Sequence, residues 1–538
     1  VKRIGFISLL ILLVASACLS GCTSGAGQGT ADDKTLQLIL SGEPTSLDPA
    51  DAFDSDTLDV THNLFEGLMR LDKTHKPQPA VADKAELSAD GLSYTFKLKK
   101  TYWSNGDPLT AHDFEYAWKR ALNPKRAYQT AFLFYFIEGA KEYNTGKGTE
   151  DQVAVKAVDD TTLEVKLKQP TPSFLELVSY PAFSPVNRKV DTQNANWHAE
   201  AKTYVSNGAF KLTEWKHDAE LKAEKNEKYH SQDKVKLATL HYSIINDNKT
   251  AYTMFKTGKL DVVSKSQVPA DLVPSLMESG KLKPSDGNGL AFFRFNVEKE
   301  PFTNQKVRKA FALAIDRKTI AQQIIAGGEQ PAYGYVHPSA PNDFRQIGGN
   351  LIQDNQAAEA KQLLAEGMKE EGWDKLPEVT LLYSNSNEKN KKVAEAVQEM
   401  IRKGLGVNIR LQAKERKVFF ADERSQNYKM SLSSFLADYN DVYNYLESFQ
   451  TGHSMNRTNW SNAKYDELLK EAANTADIKA RDRLLHEAEK ILIEEAPLTP
   501  LYFYTNAVVE QRGITGILRH PVGPSDYTQA DKVNEGNN

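Results

Sequence analysis

The sequence predicts an α/β protein that opens with an α+β region, and three observations carry that expectation. Its 538 residues exceed three times the ~150 typical of a domain, so two to four domains are expected. The early part shows short alternating strands and turn signals around one short helix. From about residue 300, longer helices alternate with strands, the order that builds βαβ units and parallel pairing.

Taken in order, residues 36–40 (LQLIL) read as a strand that breaks at Glu43-Pro44. Residues 93–98 (SYTFKL) alternate polar and apolar after an Asp90-Gly91 turn, as a half-buried strand does. Asn105-Gly106 supplies the next turn. Thr110 then stands as an N-cap with Asp113 three residues on, and Phe114, Ala117, Trp118 and Leu122 follow at helical spacing. Val307, Phe311, Ala314 and Ile315 predict one long amphipathic helix over 305–325. A strand at 378–383, a helix marked by Val393, Val397, Met400 and Ile401, a stop at Gly406 and a strand at 407–411 complete a βαβ unit. A helix over 480–495 and a buried strand at 500–504 close the pattern. There is no internal repeat.

Composition narrows the function classes. Hydrophobic residues make up 40% of the chain, enough for sizeable cores. Lysine plus arginine number 67 against 71 acids, for a net charge of −4, which excludes the basic excess of a nucleic-acid binder. The one stretch apolar enough for lipid is at the N-terminus, so a polytopic membrane protein is excluded. Lys2 and Arg3 followed by the apolar run 4–19 read as a signal peptide over 1–21. It closes with Leu19-Ser20-Gly21-Cys22, which resembles the lipobox of bacterial lipoproteins. That resemblance implies cleavage before Cys22 and a diacylglycerol on its thiol, whose two acyl chains suffice for stable anchoring. Residues 22–33 are small and polar, a flexible tether of which ten residues span roughly 17 Å. The only other cysteine, Cys18, leaves with the signal, so neither a disulfide framework nor a cysteine metal site is expected.

Enzyme signatures are missing. There is no HExxH, and the eleven histidines include no pair at a metal-binding i, i+4 spacing. No GxSxG elbow occurs. Thr145-Gly-Lys-Gly-Thr149 has glycine where a phosphate loop needs serine or threonine, and reads as a surface turn. Spacing does not pair two carboxylates across a cleft, so a carboxylate-based hydrolase stays open. The balance favours binding, with no catalytic residue, metal or cofactor.

Six segments, in order along the chain, resemble the oligopeptide-binding proteins of ABC transporters, the family 5 solute-binding proteins. They are EPTSLDP from Glu43 with LFEG from Leu64, WSNGDPLTAHDF from Trp103, VSNGAFKL from Val205, PAYGY from Pro331, ADYN from Ala437 and PLYFY from Pro500. The resemblance implies a periplasmic-binding-protein-like type II fold, with three domains in two lobes, a hinge and an interlobe ligand cleft. It places domain I at 34–63, 189–288 and 506–538, domain II at 64–188 and domain III at 289–505. It implies a receptor for short peptides, monomeric, held at the outer face of the cell membrane and serving permease subunits with separate ATPases. No nucleic acid is involved.

A receptor for many peptides reads what they share: extended backbone, ammonium and carboxylate. By resemblance Asp438 takes the ligand ammonium; by spacing alone Asp438 or Asp441 would instead cap a helix over 442–449. Phe435 stands at an aromatic wall position, and Leu436 and Ala437 lie where main-chain contacts are expected. Arg424 resembles an arginine that takes a ligand carboxylate, while further carboxylate-binding positions carry Leu432, Asn390 and Ile325. Arg294 replaces a ligand-facing glutamate; it either forks onto a ligand carboxylate or pairs with a protein acid. Tyr504 matches a cleft tyrosine, and Phe53, Ser55 and Tyr128 lie in segments that approach the ligand; for each of these four, core or rim packing is at least as strong a reading as ligand contact. The aromatics at 502–504 should alternate between core and cleft. Arg294 and Arg424 suggest a narrower ligand, an acidic cell-wall (murein) tripeptide. The alternatives are a carboxylate-based hydrolase and a sensory or chaperone-like lipoprotein; a nickel or haem receptor is disfavoured by the aspartate motif.

Overall fold

The structure is a computed structural model that describes residues 34–385 and 388–533. Cys22, the signal segment and the tether lie outside the described residues. Among those described, no helix is long and apolar enough to cross a membrane.

The first lobe holds two four-stranded sheets. In one, Thr35–Leu40 runs parallel to Thr239–Ile244, which continues antiparallel through Glu220–Lys225 to Phe210–Lys216. In the other, Ala82–Leu87, Ser93–Leu98, Thr162–Lys166 and Val155–Asp159 are all antiparallel. The polar–apolar alternation of Ser93–Leu98 buries Tyr94, Phe96 and Leu98 on one face. Helix Ala111–Ala121 starts in the capping box of Thr110 and Asp113 and buries Phe114, Ala117 and Trp118. One continuous apolar core runs under both sheets.

The second lobe is built on a mixed sheet. Its order is Val262–Ser264, Leu498–Glu510, Leu282–Phe295, Met430–Leu436, Thr380–Ser384 and Arg410–Lys414, with Gln330–Pro331 added beside Leu498–Glu510. Thr380–Ser384, helix Glu388–Leu405 and Arg410–Lys414 form a parallel βαβ unit, and Gly406, at φ 74°, ends the helix. The sheet is covered on both faces, so alternate residues enter two different cores. Phe293, Phe295 and Tyr502 join one, and Leu290, Phe292 and Phe503 the other.

Two long strands, Leu282–Phe295 and Leu498–Glu510, tie the lobes together. Their outer ends, through Leu282, Ala507 and Val509, pack with Phe255, Leu260 and Val263 in a cluster of their own. Pairing runs from Leu282 opposite Val509 to Asp286 opposite Thr505, breaks, and resumes at Leu290 opposite Phe503. Gly287 stands in the break; a Cβ there would collide with the backbone carbonyl of Tyr504.

The long helix expected over 305–325 is broken. Gln305–Leu313 ends at Ala314, and the chain restarts at Arg317–Thr319, capped by Asp316, before a wider π turn over Ile320–Ile325. Arg317 explains the break: it is fully buried, and its guanidinium donates to Pro500 O, Thr499 Oγ1, Ala312 O and Asp354 Oδ1. An uninterrupted helix would leave that buried cation to find other partners.

Candidate functional site: the cleft between the lobes

A cavity of about 770 Å³ lies between the lobes. Phe53, Ser55, Phe132 and Tyr180 line it from the first lobe, Leu436, Ala437 and Asp438 from the second, and Asn288 and Thr505 to Val508 from the connecting strands. Alternation along Met430–Leu436 turns Leu436 outward, 58% exposed, while its neighbour Phe435 turns in. An exposed leucine beside exposed Phe53 and Phe132 gives the cleft apolar walls.

Asp438 is the chemically distinctive group. Its backbone N–H donates to Asn444 Oδ1 at 2.9 Å, which holds the turn. Asp441, and not Asp438, caps helix Val442–Glu447, accepting from Tyr443 N, and Asp441 is itself paired with Arg481 at 2.9 Å. The capping alternative for Asp438 is thereby removed. Among the described residues Asp438 makes no ion pair within 4.0 Å. Its side chain is open to the cleft. Displacement of water by the surrounding protein nevertheless raises its carboxyl above the ordinary carboxylate range, against the opposing hydrogen bond from Asn444. A carboxylate in this state gains from any cation brought to it. The same loop touches the first lobe, where Tyr439 packs edge-on against Phe136 at 5.5 Å.

Two further carboxyls lie near this loop. Burial pushes Glu447 up to about 7, against hydrogen bonds from Tyr439 and Asn444. Burial and the charge of Asp441 push Glu176, on the first lobe, up to about 8.

The other expected site residues divide. Arg294 is buried; it donates to Ser433 Oγ at 3.0 Å and Met455 O at 2.6 Å, and lies 3.9 Å from Glu423. Its guanidinium belongs to the interior of the second lobe, so the protein-acid reading holds. Arg424 is an exposed helix end outside the cavity lining. Phe435 packs against Tyr335 and Tyr445 in the core and does not form a cleft wall. Tyr128 turns inward, donating to Asp48 Oδ2 at 2.9 Å with its ring beside Arg120. Asn390 donates to Ser384 O. Tyr504 is partly buried under Lys389, whose ammonium lies 5.3 Å from the ring. Tyr502 and Phe503 are both buried, so the expected alternation of core and cleft is instead alternation between two cores. A central strand covered on both faces leaves no wet side for period two to reveal.

Sequence reasoning missed Phe132, Tyr180 and Lys265 in the lining. Phe132 lies in the 3-10 turn Gln129–Phe134, too short to show a period, and the other two carry no local signal.

Two lobes on crossing strands, with Asp438 free of any ion pair in the cleft between them, define a solute receptor of the periplasmic-binding-protein-like type II fold. Residues 76–457 match the family described as Bacterial extracellular solute-binding proteins, family 5 Middle. The Dipeptide-binding protein DppE of Bacillus subtilis is 46% identical over 97% of this chain and 98% of its own length. The Oligopeptide-binding protein OppA of the same organism is 39% identical over 98% and 99%. The chain belongs to family 5 of the bacterial extracellular solute-binding proteins, whose members serve transporters as substrate-binding proteins. Among solved structures, the unliganded open form of the murein tripeptide binding protein MppA aligns with a TM-score of 0.81 at 30% identity, covering 93% of this chain and 97% of that one. Listeria monocytogenes OppA bound to peptide aligns at 0.72 and 29% identity, covering 93% and 99%.

Proposed function

We propose that this protein is a receptor for short peptides, anchored outside the cell by a lipid on Cys22, that delivers them to the permease of an ABC importer. The observation that carries the reading is Asp438, a partly desolvated carboxylate with no protein cation within 4.0 Å, placed in an interlobe cavity of about 770 Å³. A peptide ammonium supplies the missing charge, and exposed strand ends beside Leu436 and Asn506 supply main-chain hydrogen bonds. The names of the dipeptide- and oligopeptide-binding relatives support the same ligand class. We place domain I at 34–63, 189–288 and 506–538, domain II at 64–188 and domain III at 289–505. The register break at 286–290 supports a hinge at that boundary. The narrower cell-wall tripeptide reading rested on Arg294 and Arg424, and neither faces the cleft, so general short peptides are favoured.

The test is calorimetric titration of the mature protein with tri-, tetra- and penta-alanine and their N-acetylated forms. Free-amine peptides should bind at least about 30-fold tighter, since an unpaired buried charge costs several kcal/mol. Asp438→Asn should abolish that preference. Equal binding of free and acetylated peptides sinks the assignment, and peptide turnover on incubation would favour a carboxylate-based hydrolase instead.

A further inference from the structure

A second cavity, of about 270 Å³, lies beside the interlobe one and plays no part in the peptide reading. It forms where the turn joining strands Met69–Leu71 and Pro77–Pro79 meets the start of Leu282–Phe295, the end of Leu498–Glu510 and residues 517–520. Val508, Arg519 and His520 are common to both linings and make up the wall between the two spaces.

Three fixed cations, Lys73, Lys283 and Arg519, line this cavity against a single carboxylate, Glu510. Glu510 is shared: Oε1 lies 2.8 Å from Arg519 and Oε2 lies 3.6 Å from Lys283. Among the described residues Lys73 makes no ion pair, and the remaining N–H groups of Arg519 make no hydrogen bond. Asp72, the neighbour of Lys73, is spent inside its own turn, accepting from Thr74 N and Thr74 Oγ1 at 2.7 Å and from Lys76 N at 3.1 Å. The lining therefore carries two positive charges in excess.

Two imidazoles complete it. His75 and His520 meet through their Nδ1 atoms at 2.9 Å. Burial and the neighbouring His75, with Arg70 beyond, lower His520 to about 4 against the pull of Asp526, so its ring is neutral at physiological pH. A neutral imidazole has one N–H and one acceptor nitrogen. One ring must accept at Nδ1, and that ring keeps its hydrogen on Nε2. Neither Nε2 has a hydrogen-bond partner among the described residues, so the pair always leaves an N–H donor unclaimed in the lining. His520, only 7% exposed, is fixed by the protein around it, unlike the lysines.

We propose that this cavity is a binding site for a phosphate dianion or a phosphate monoester, separate from the interlobe cleft. A carboxylate brings one negative charge and leaves half of the excess unmet. A phosphate monoester carries close to two near neutral pH and has three terminal oxygens to accept from several directions. The same chemistry comes from two sources, dissolved phosphate and the headgroup of a phosphomonoester lipid. The place where the chain enters the fold speaks for the second. Lys532 donates to Thr35 O at 3.1 Å and to Asp261 Oδ2 at 2.8 Å, and Asp261 O accepts from Gln511 N, one residue past Glu510.

The experiment titrates the unacylated mature protein with inorganic phosphate, glycerol 3-phosphate and acetate by calorimetry, at fixed ionic strength and about pH 8, where the phosphates are doubly charged. A second arm floats the protein with phosphatidylcholine vesicles, with and without phosphatidic acid. Two double variants are compared: Lys73→Gln with Lys283→Gln in the cavity, and Lys202→Gln with Lys228→Gln at exposed positions elsewhere. Thermal melts verify that each is folded. Wild type should bind both phosphates saturably and at least about tenfold tighter than acetate; the cavity variant should lose at least about tenfold, and the control pair should stay within about twofold. Absence of saturable phosphate binding overturns the proposal, as does binding that the cavity variant keeps or that the control pair loses equally. With binding established, flotation that needs phosphatidic acid and fails in the cavity variant assigns the site to a lipid headgroup; flotation that is absent, or equal in the two variants, assigns it to dissolved phosphate.

Discussion

Two charged groups of this protein, one in each lobe, live opposite lives. Arg120, deep in the first lobe, forks onto Asp48, 2.5 Å from Oδ2 and 3.1 Å from Oδ1, and also holds Asp191 at 2.9 Å. Trp197 and Tyr116 donate to Asp191, and Tyr128 donates to Asp48, so nearly every oxygen is answered. Burial alone would raise Asp48, but Arg120 overrides it and holds the carboxyl below its ordinary value. Asp438 has the same chemistry and no cation, and its carboxyl moves the other way. A satisfied charge in an interior holds structure together. A bare one in a cleft waits for a partner from outside.

The largest effect should come from breaking the satisfied network. Arg120→Ala strands two buried carboxylates and should cost about 3–5 kcal/mol of stability, measured by denaturant unfolding. A loss below about 1 kcal/mol would erase the contrast. Asp438→Asn is its mirror: peptide affinity should collapse while the melting temperature stays level or rises, because a desolvated charge has been removed. A melting temperature that fell sharply would mean Asp438 is structural after all.

Arg294→Met sharpens the comparison within the second lobe. Buried between Ser433, Met455 and Glu423, this arginine should matter to stability, yet peptide affinity of the folded variant should stay within about twofold. A selective loss of acidic peptides would restore the ligand contact that its sequence context suggested.

The smallest effect concerns pH. Glu447 and Glu176 ionise at about 7 and about 8 in the folded protein, against roughly 4.3 in an unfolded chain. The folded state then holds more protons between those values, so their contribution to stability is full at the acid end and is lost as pH rises through 7 to 8. Melting temperatures should decline from pH 6 to pH 9, and Glu447→Gln with Glu176→Gln should flatten the decline. Peptide binding should run oppositely at the acid side, weakening as Asp438 takes up a proton.

Much of the architecture was legible in local sequence. The capping box at Thr110, the stop at Gly406 and the alternation of 93–98 work through neighbours a few residues apart, and each appears where expected. Legibility failed wherever a distant partner decided. The break near Asp316 exists because Arg317 is consumed by a carbonyl and a hydroxyl some 180 residues away. Phe435 looked like a cleft aromatic, and packing against Tyr335 and Tyr445 encloses it; for Tyr128, where core packing and ligand approach stood open, the bond to Asp48 turns it inward. Phe132 and Lys265 reached the cleft from segments with no period to read.

The sequence by itself determined most of the element types, the α/β class and the family resemblance, since caps, periods and short motifs are local. Only the tertiary structure decided which charges are spent and which are free. Arginine next to aromatics reads the same whether Glu423 lies opposite it or a ligand does. Charge pairing falls off with distance in space, and spacing along the chain does not report that distance.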